Sequence, residues 1–356
     1  MLSVVLFSVR GGIETYTAQL VNELAPIVRV AYAIDIKTKQ QIGRLIDPRV
    51  TLIEYRRPRL REFWGIVEIC RLAVKIKQFN PDLFHIQGDG VWESVLLRLL
   101  SNIPIVATVH DPIKHIDQRT HVNNWTMKDV VKRSRGWVLH SEGLKNIFIK
   151  LNKVNKDNVL IHPHGIYNFY CNYSPPSKNK EKFFLFFGEL RINKGLDLFL
   201  EAFEMVTGQI PEWKVVIAGR GHFEQDKHLE FNRERIEFYN RYITNAEAAS
   251  FFSKAGVVVL PYRHGSQSGV LAMAAAFFCP VLATRVGNIP EILLDRQHAL
   301  LVEPENVKQL AKGLLEIVAD ESLRTTLGEN LGMLANDEWS WKEIAQKTLL
   351  FYQKNI

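Results

Sequence analysis

Arg191 and Lys194 stand about one helical turn apart in "GELRINKG". Two cations in a loop at the carboxyl edge of a sheet could neutralise a phosphate. "TVHD" puts His110 and Asp111 at the end of an apolar run read as a strand, the usual functional edge of such a sheet. Glycines mark three further turns. Gly11 and Gly12 follow the first apolar run, Gly219 and Gly221 sit in "AGRGHFEQ", and Gly269 sits in "LPYRHGSQSGVLAMAAAF". In the last, Ser268, Gly269, Val270 and Leu271 open an alanine-rich helical stretch, and amides at a helix start attract anions. Between Ala248 and Pro290 there is no Asp or Glu, so nothing in that stretch compensates the positive end. Each feature also has a plainer reading: a solvated basic loop, a structural histidine, a tight turn, a buried helix.

These residues need a frame that brings strand ends together. "SVVLFSV", "VRVAYAID", "DLFHIQ", "IPIVATVHD", "GWVLHS" and "NVLIHPHGI" alternate with amphipathic stretches such as "ETYTAQLVNELAPI" and "EGLKNIFIKL". Strands alternating with helices imply a parallel sheet covered on both faces. A second series runs from "FFLFFGEL" through "WKVVIAGRG", "GVVVLPY" and "HALLVEP" to three helical patterns at the end. Between the two series, "YNFYCNYSPPSKNKEK" is polar and carries a Pro-Pro pair. We read a Rossmann-like domain over 1–170, a linker over 171–182 and a second Rossmann-like domain over 183–335. A C-terminal helix over 336–356 is expected to pack back toward the first domain. The fold class is α/β, two doubly wound domains facing across a cleft, because ligands of such sheets bind at strand carboxyl ends.

The chain's 356 residues suffice for two cores. Its 47% hydrophobic and 23% charged residues exclude global disorder. The three cysteines, Cys70, Cys171 and Cys279, are far apart, which argues against zinc and for a reducing compartment. Lys and Arg exceed Asp and Glu by 45 to 38, a net charge of +7 that suits an anionic ligand or an anionic membrane surface. "MLSVVLFSVRGG" reads as a buried first strand, not a signal peptide. No window has the apolar length to span a bilayer. A cytoplasmic protein is expected. Neither glycine turn is G-x-G-x-x-G, which leaves a dinucleotide-dependent oxidoreductase without its fingerprint.

In order and spacing these segments resemble glycosyltransferase family 4, retaining nucleotide-sugar transferases of the GT-B fold. The likeness covers nearly the whole chain. It rests on "GGIE", "DLFHIQ", "PIVATVHD", "VLHSEGLK", "IHPHGI", "GELRINKGLDLFLEAF", "VVIAGRG", "VVVLPY", "SQSGVLAMAAAFFCPVLATRVGNIPEILLD", "HALLVEP" and "WSWKEIA". The resemblance implies that Gly11 and Gly12 lie beside the donor phosphates and acceptor, and that His110 bonds the transferred sugar. It implies that Lys194 grips the diphosphate, with Arg191 in place of the family arginine that Glu189 displaces. Ser268, Gly269, Val270 and Leu271 would present amides to that diphosphate, with Gly221 also on the donor side. Glu291 in "GNIPEI" would be mainly structural. The implied chemistry needs no metal, no cofactor and no protein nucleophile.

The family's paired glutamates are missing here. Aligned on Pro280 their positions hold Gly265 and Met273; aligned on Gly269 they hold Ser266 and Ala274. A related "QSGVL" variant lacks them too. Two functions stay open at this point. One is a transferase moving a sugar from a nucleotide-diphosphate donor to a saccharide or lipid-linked acceptor in cell-surface glycan synthesis. The other is a catalytically silent protein of the same fold that binds a glycan or a partner transferase. No nucleic-acid partner is expected. "YRRPRLREFWGIVEIC" places Arg56, Arg57, Arg59 and Arg61 before Phe63 and Trp64, which suits peripheral attachment to the inner face of an anionic membrane. The plainer reading packs both aromatics into the first domain.

Overall fold

Short runs of β-branched and aromatic residues with no polar alternation should be buried on both faces. The computed structural model shows them so, and it describes residues 1–9, 13–59, 62, 64–112, 121–222 and 233–356. Gly11, Gly12, Arg61 and Phe63, all named above, lie outside the described residues. In chain order the first series is β1 (Ser3–Ser8), α1 (Ile13–Leu24), β2 (Arg29–Asp35), α2 (Ile36–Ile42), β3 (Thr51–Tyr55), α3 (Gly65–Phe79), β4 (Leu83–Gln87), α4 (Val91–Leu99), β5 (Ile105–Thr108), α5 (His121–Arg133), β6 (Gly136–Leu139), α6 (Glu142–Asn152) and β7 (Val159–Ile161). The second is β8 (Phe183–Phe187), α7 (Leu196–Val206), β9 (Lys214–Gly219), β10 (Ile236–Asn240), α8 (Asn245–Lys254), β11 (Val257–Leu260), α9 (Gly269–Ala276), β12 (Val281–Thr284), α10 (Ile289–Ile292), β13 (Leu300–Val302), α11 (Val307–Ala319), α12 (Glu321–Glu338) and α13 (Trp341–Asn355).

The chain divides into one unit of Met1–Pro163 with Trp341–Ile356 and another of His164–Ser340. The first holds a seven-stranded sheet in the order β3-β2-β1-β4-β5-β6-β7, and the second a six-stranded sheet in the order β10-β9-β8-β11-β12-β13. Every pairing between these strands is parallel. In each sheet the order reverses once, between β1 and β4 and between β8 and β11. Loops diverge there and leave a crevice at the strand carboxyl ends. Every residue of β1 and of β11 is buried. One core packs around Phe7, Phe84, Leu139 and Phe148, and another around Phe184, Phe199, Phe203 and Trp213.

The unit boundaries differ from the sequence expectation. The break falls at Pro163 and His164, ahead of the expected 171–182 linker. That polar run is tied to the second unit. The Lys180 ammonium donates to the carbonyls of Phe252, Ser253 and Phe277, at 3.4, 3.0 and 3.0 Å. Those carbonyls end α8 and α9, so a lysine that reads as solvated caps two helix C-termini. Ser253 Oγ donates to the Pro175 carbonyl at 2.6 Å. The later break is at Ser340 and Trp341, because α12 continues to Glu338. Trp341, Phe351 and Tyr352 of α13 are all buried, and a Cβ at Gly136 on β6 would strike Phe351 and Asn355.

Candidate functional site

In the second unit, the loop after β8 and the start of α9 flank the point where the strand order reverses. Lys194 ends a short 3-10 turn, Ile192–Lys194, that leads into α7 through Gly195. Gly195 has φ +67, and a Cβ there would lie 2.0 Å from the Pro261 carbonyl oxygen, so only glycine fits. Arg263 clamps the two loops. Its guanidinium meets both Asp197 oxygens at 2.7 and 2.6 Å, donates to the Ile192 carbonyl at 2.8 Å, and its amide donates to the Asn193 carbonyl at 2.9 Å. The Lys194 Nζ sits 3.9 Å above the Tyr262 ring centroid. Tyr262 is buried, and its hydroxyl shares a 3.1 Å hydrogen bond with Ser268 Oγ. Ser268 is the N-cap of α9 and accepts from the Leu271 amide at 3.2 Å.

The four residues expected to present amides therefore separate. Leu271 spends its amide on the cap. Among the described residues, the amides of Gly269 and Val270 have no partner. The helix behind them is buried from Leu271 to Ala276 and has no acidic residue in its first turn. Its positive end is uncompensated by its own sequence. Arg191 is brought near but not free: it pairs with Glu189 at 2.8 Å. Gly221 serves packing. Its amide donates to Asn240 Oδ1 at 3.2 Å, its carbonyl accepts from Asn240 Nδ2 at 3.1 Å, and a Cβ would lie 2.2 Å from the Leu190 carbonyl oxygen. Glu291 is exposed in the short α10, with its amide bonded to the Asn288 carbonyl at 3.0 Å.

In the first unit, β5, β6 and β7 lie side by side, and each runs into a histidine: His110, His140 and His162. His140 Nε2 lies 3.1 Å from His110 Nδ1, and His140 Nδ1 lies 3.2 Å from the His162 carbonyl oxygen. His162 Nδ1 donates to the Pro163 carbonyl at 2.9 Å, and the Tyr16 hydroxyl meets His162 Nε2 at 3.2 Å. The Tyr16 ring packs edge-on against His110 at 5.3 Å and against Trp341 at 5.0 Å. One strand inward, His85 bonds the Tyr352 hydroxyl at 2.6 Å and Thr108 Oγ1 at 2.7 Å. Burial pushes the His162 pKa down to about 4 and the His85 pKa down to about 3. Both rings are neutral at physiological pH.

The geometry meets known proteins at this point. A model described as glycosyltransferase family 4 matches residues 10–167, and a model described as glycosyl transferases group 1 matches residues 181–320. The chain belongs to glycosyltransferase family 4. A Methanocaldococcus jannaschii glycosyltransferase is 26% identical over 97% of this chain and 95% of its own length. The Schizosaccharomyces pombe phosphatidylinositol N-acetylglucosaminyltransferase subunit is 22% identical over 99% of this chain and 79% of its own. The Anabaena protein HepE, solved in complex with UDP, superposes with a TM-score of 0.74 at 13% identity, covering 99% of this chain and 100% of that one. Its shared architecture, GT-B, is this transferase's fold.

The positions where the family carries paired glutamates are filled by packing residues. Met273 and Ala274 are buried within α9, and Ser266 is buried in the turn before it. None of these positions carries a carboxylate in this chain. The sequence reading missed Tyr16, His140, His162, Tyr262 and Arg263. The signal for the histidines was present: successive apolar runs each end in His, in "VATVH", "WVLH" and "VLIH".

Proposed function

We propose that this transferase moves a sugar from a nucleoside-diphosphate donor to a saccharide or lipid-linked acceptor in glycan synthesis, with retention and without a metal. One observation carries the reading: the Lys194 ammonium, held on the Tyr262 ring, shares a strand edge with the partner-free amides of Gly269 and Val270. Fixed donors of positive potential aimed at a leaving diphosphate stabilise the charge that develops as the glycosidic bond breaks. The bond from the anomeric carbon to the phosphate oxygen breaks, and one from that carbon to the acceptor oxygen forms on the same face. The acceptor's proton passes to the departing phosphate oxygen. His110 bonds the transferred sugar. The Anabaena neighbours solved with UDP and with UDP-glucose make uridine diphosphate donors the first to test. A panel of UDP-, GDP- and ADP-sugars, screened by thermal shift and then by donor hydrolysis with and without EDTA, tests it. Turnover unaffected by EDTA is expected. A strict need for added metal, or no shift with any donor, would overturn the reading.

We further propose peripheral attachment of the first unit to an anionic leaflet. Trp64 is 69% exposed just before α3, and the Arg56 side chain is 75% exposed. Arg59 is exposed as well. Arg57 drops out of the basic set expected from sequence, because it pairs with the buried Glu93 at 2.6 Å. Vesicles containing phosphatidylserine should pellet the protein and neutral vesicles should not. Changing Arg56 and Arg59 to Glu should cost about 1 kcal/mol per residue removed. Pelleting indifferent to lipid charge would refute it.

A further inference from the structure

We propose that His140 is a positioning residue that fixes His110 in its Nδ1–H tautomer, so that His110 offers the Nε2 lone pair to a hydroxyl of the transferred sugar. The inference rests on the reading above that His110 meets that sugar, and it adds which ring atom does so and in which chemical state.

One chain of hydrogen bonds links the three rings. A carbonyl oxygen only accepts, so the His162 carbonyl 3.2 Å from His140 Nδ1 requires a proton on that nitrogen. The His140 ring is 1% exposed, and burial disfavours the imidazolium. A neutral ring protonated at Nδ1 has its lone pair at Nε2. That lone pair faces His110 Nδ1 at 3.1 Å, so His110 Nδ1 carries the proton between them. In neutral His110 the other nitrogen, Nε2, is then an acceptor. His162 obeys the same logic: its Nδ1–H donates to the Pro163 carbonyl, and its Nε2 accepts from Tyr16. Neutral imidazole in water prefers the opposite tautomer, with the proton on Nε2. The protein therefore spends two backbone carbonyls on setting the less favoured form in consecutive rings.

Ring orientation is fixed as firmly as protonation. Tyr16 stands among all three rings, edge-on to His110 with an interplanar angle of 90° and to His140 at 69°, and parallel to His162 at 13°. A flip of His110 would trade Nδ1 for a carbon against His140. Lys347 adds positive potential at His162, which opposes protonation of the ring.

The test reads tautomers directly. Long-range proton–nitrogen NMR spectra of the protein labelled with ¹⁵N-histidine distinguish Nδ1–H, Nε2–H and doubly protonated rings. The His110→Gln variant assigns the His110 signals. In the wild type, His110 is expected as the Nδ1–H form. His140→Gln keeps an amide N–H for the His162 carbonyl and a carbonyl for His110, so the tautomer should persist. His140→Phe keeps a ring but removes both functions, and His110 should revert to Nε2–H. Turnover should fall about 10–100-fold in His140→Phe and recover in His140→Gln, with UDP affinity unchanged in both. A wild-type His110 in the Nε2–H or charged form overturns the proposal, as does a His140→Phe protein that keeps the Nδ1–H form. The wild-type spectrum decides even if His140→Phe fails to fold. The tautomer is read without a donor, so failure of this inference and failure of the transferase reading are separate results.

Discussion

The carboxyl edges of the two sheets use opposite electrostatics. On the first, His85 and His162 are buried and neutral, and hydrogen bonds to carbonyls and hydroxyls set the rings. On the second, a lysine charge lies over a tyrosine ring next to helix amides, with no acidic residue from Ala248 to Pro290. The first edge is suited to a neutral partner that donates and accepts hydrogen bonds. The second is suited to an anion. A nucleotide sugar, the proposed donor, has both halves, and the contrast teaches that each sheet edge, taken by itself, suits a different one.

The sharpest way to break this division is to remove one residue from each edge. His110→Ala should lower turnover by about 10²–10³-fold and leave free nucleotide binding unchanged, which calorimetry beside donor-sugar kinetics would show. Equal losses in both would merge the two edges into one role. Lys194→Ala should instead weaken UDP or GDP by about 1.5–3 kcal/mol, the range for a charged hydrogen bond. Tyr262→Phe, which keeps the ring beneath the ammonium and removes the hydroxyl bonded to Ser268, should leave nucleotide affinity near wild type. Tyr262→Leu, which also removes the ring, should cost about 0.5–1 kcal/mol more. If Lys194→Ala binds nucleotide like wild type, the anionic half has been placed wrongly.

Acid sharpens the comparison further. The folded pKa values of His85 and His162, about 3 and about 4, lie below the unfolded value of roughly 6.5. Between those values the unfolded chain binds protons that the folded chain refuses. Their neutrality is therefore fully compatible with folding above about pH 6.5, and stability falls as pH drops. Each ring removes about 1.4 kcal/mol per pH unit inside its window. Melting temperature measured from about pH 7 down to pH 5 should fall, and His162→Gln should flatten the slope. A profile that rises toward acid would show that these rings are not buried neutral.

Much of this was legible in the sequence, for definite reasons. Runs such as "SVVLFS" and "FFLFF" announce doubly covered strands, and Lys194 and Ser268 fall at strand and helix ends that a parallel sheet must gather. The histidine cluster was legible only in part: each apolar run ends in a histidine, but that repeat gathers three rings only once β5, β6 and β7 are known to be neighbours. Tyr16 and Tyr352 reach it from α1 and α13, which no local pattern links. Lys180 misled for the same reason: its composition is that of a linker, and only the packed helices reveal the carbonyls it caps. Gly221 is needed for a close backbone approach, and in sequence such a glycine looks the same as one needed for a ligand.

Helix α13 sets an order of assembly. Trp341 packs on Tyr16, and Tyr352 supplies the hydroxyl that satisfies His85, yet both are synthesised after the entire second unit. On a ribosome the first sheet emerges early, and domains generally fold from the N-terminus onward. Here the packing of Tyr16 against Trp341 and the bond from His85 to Tyr352 can form only once α13 has been made. The unit that begins the chain is completed by residues made after the whole of the second.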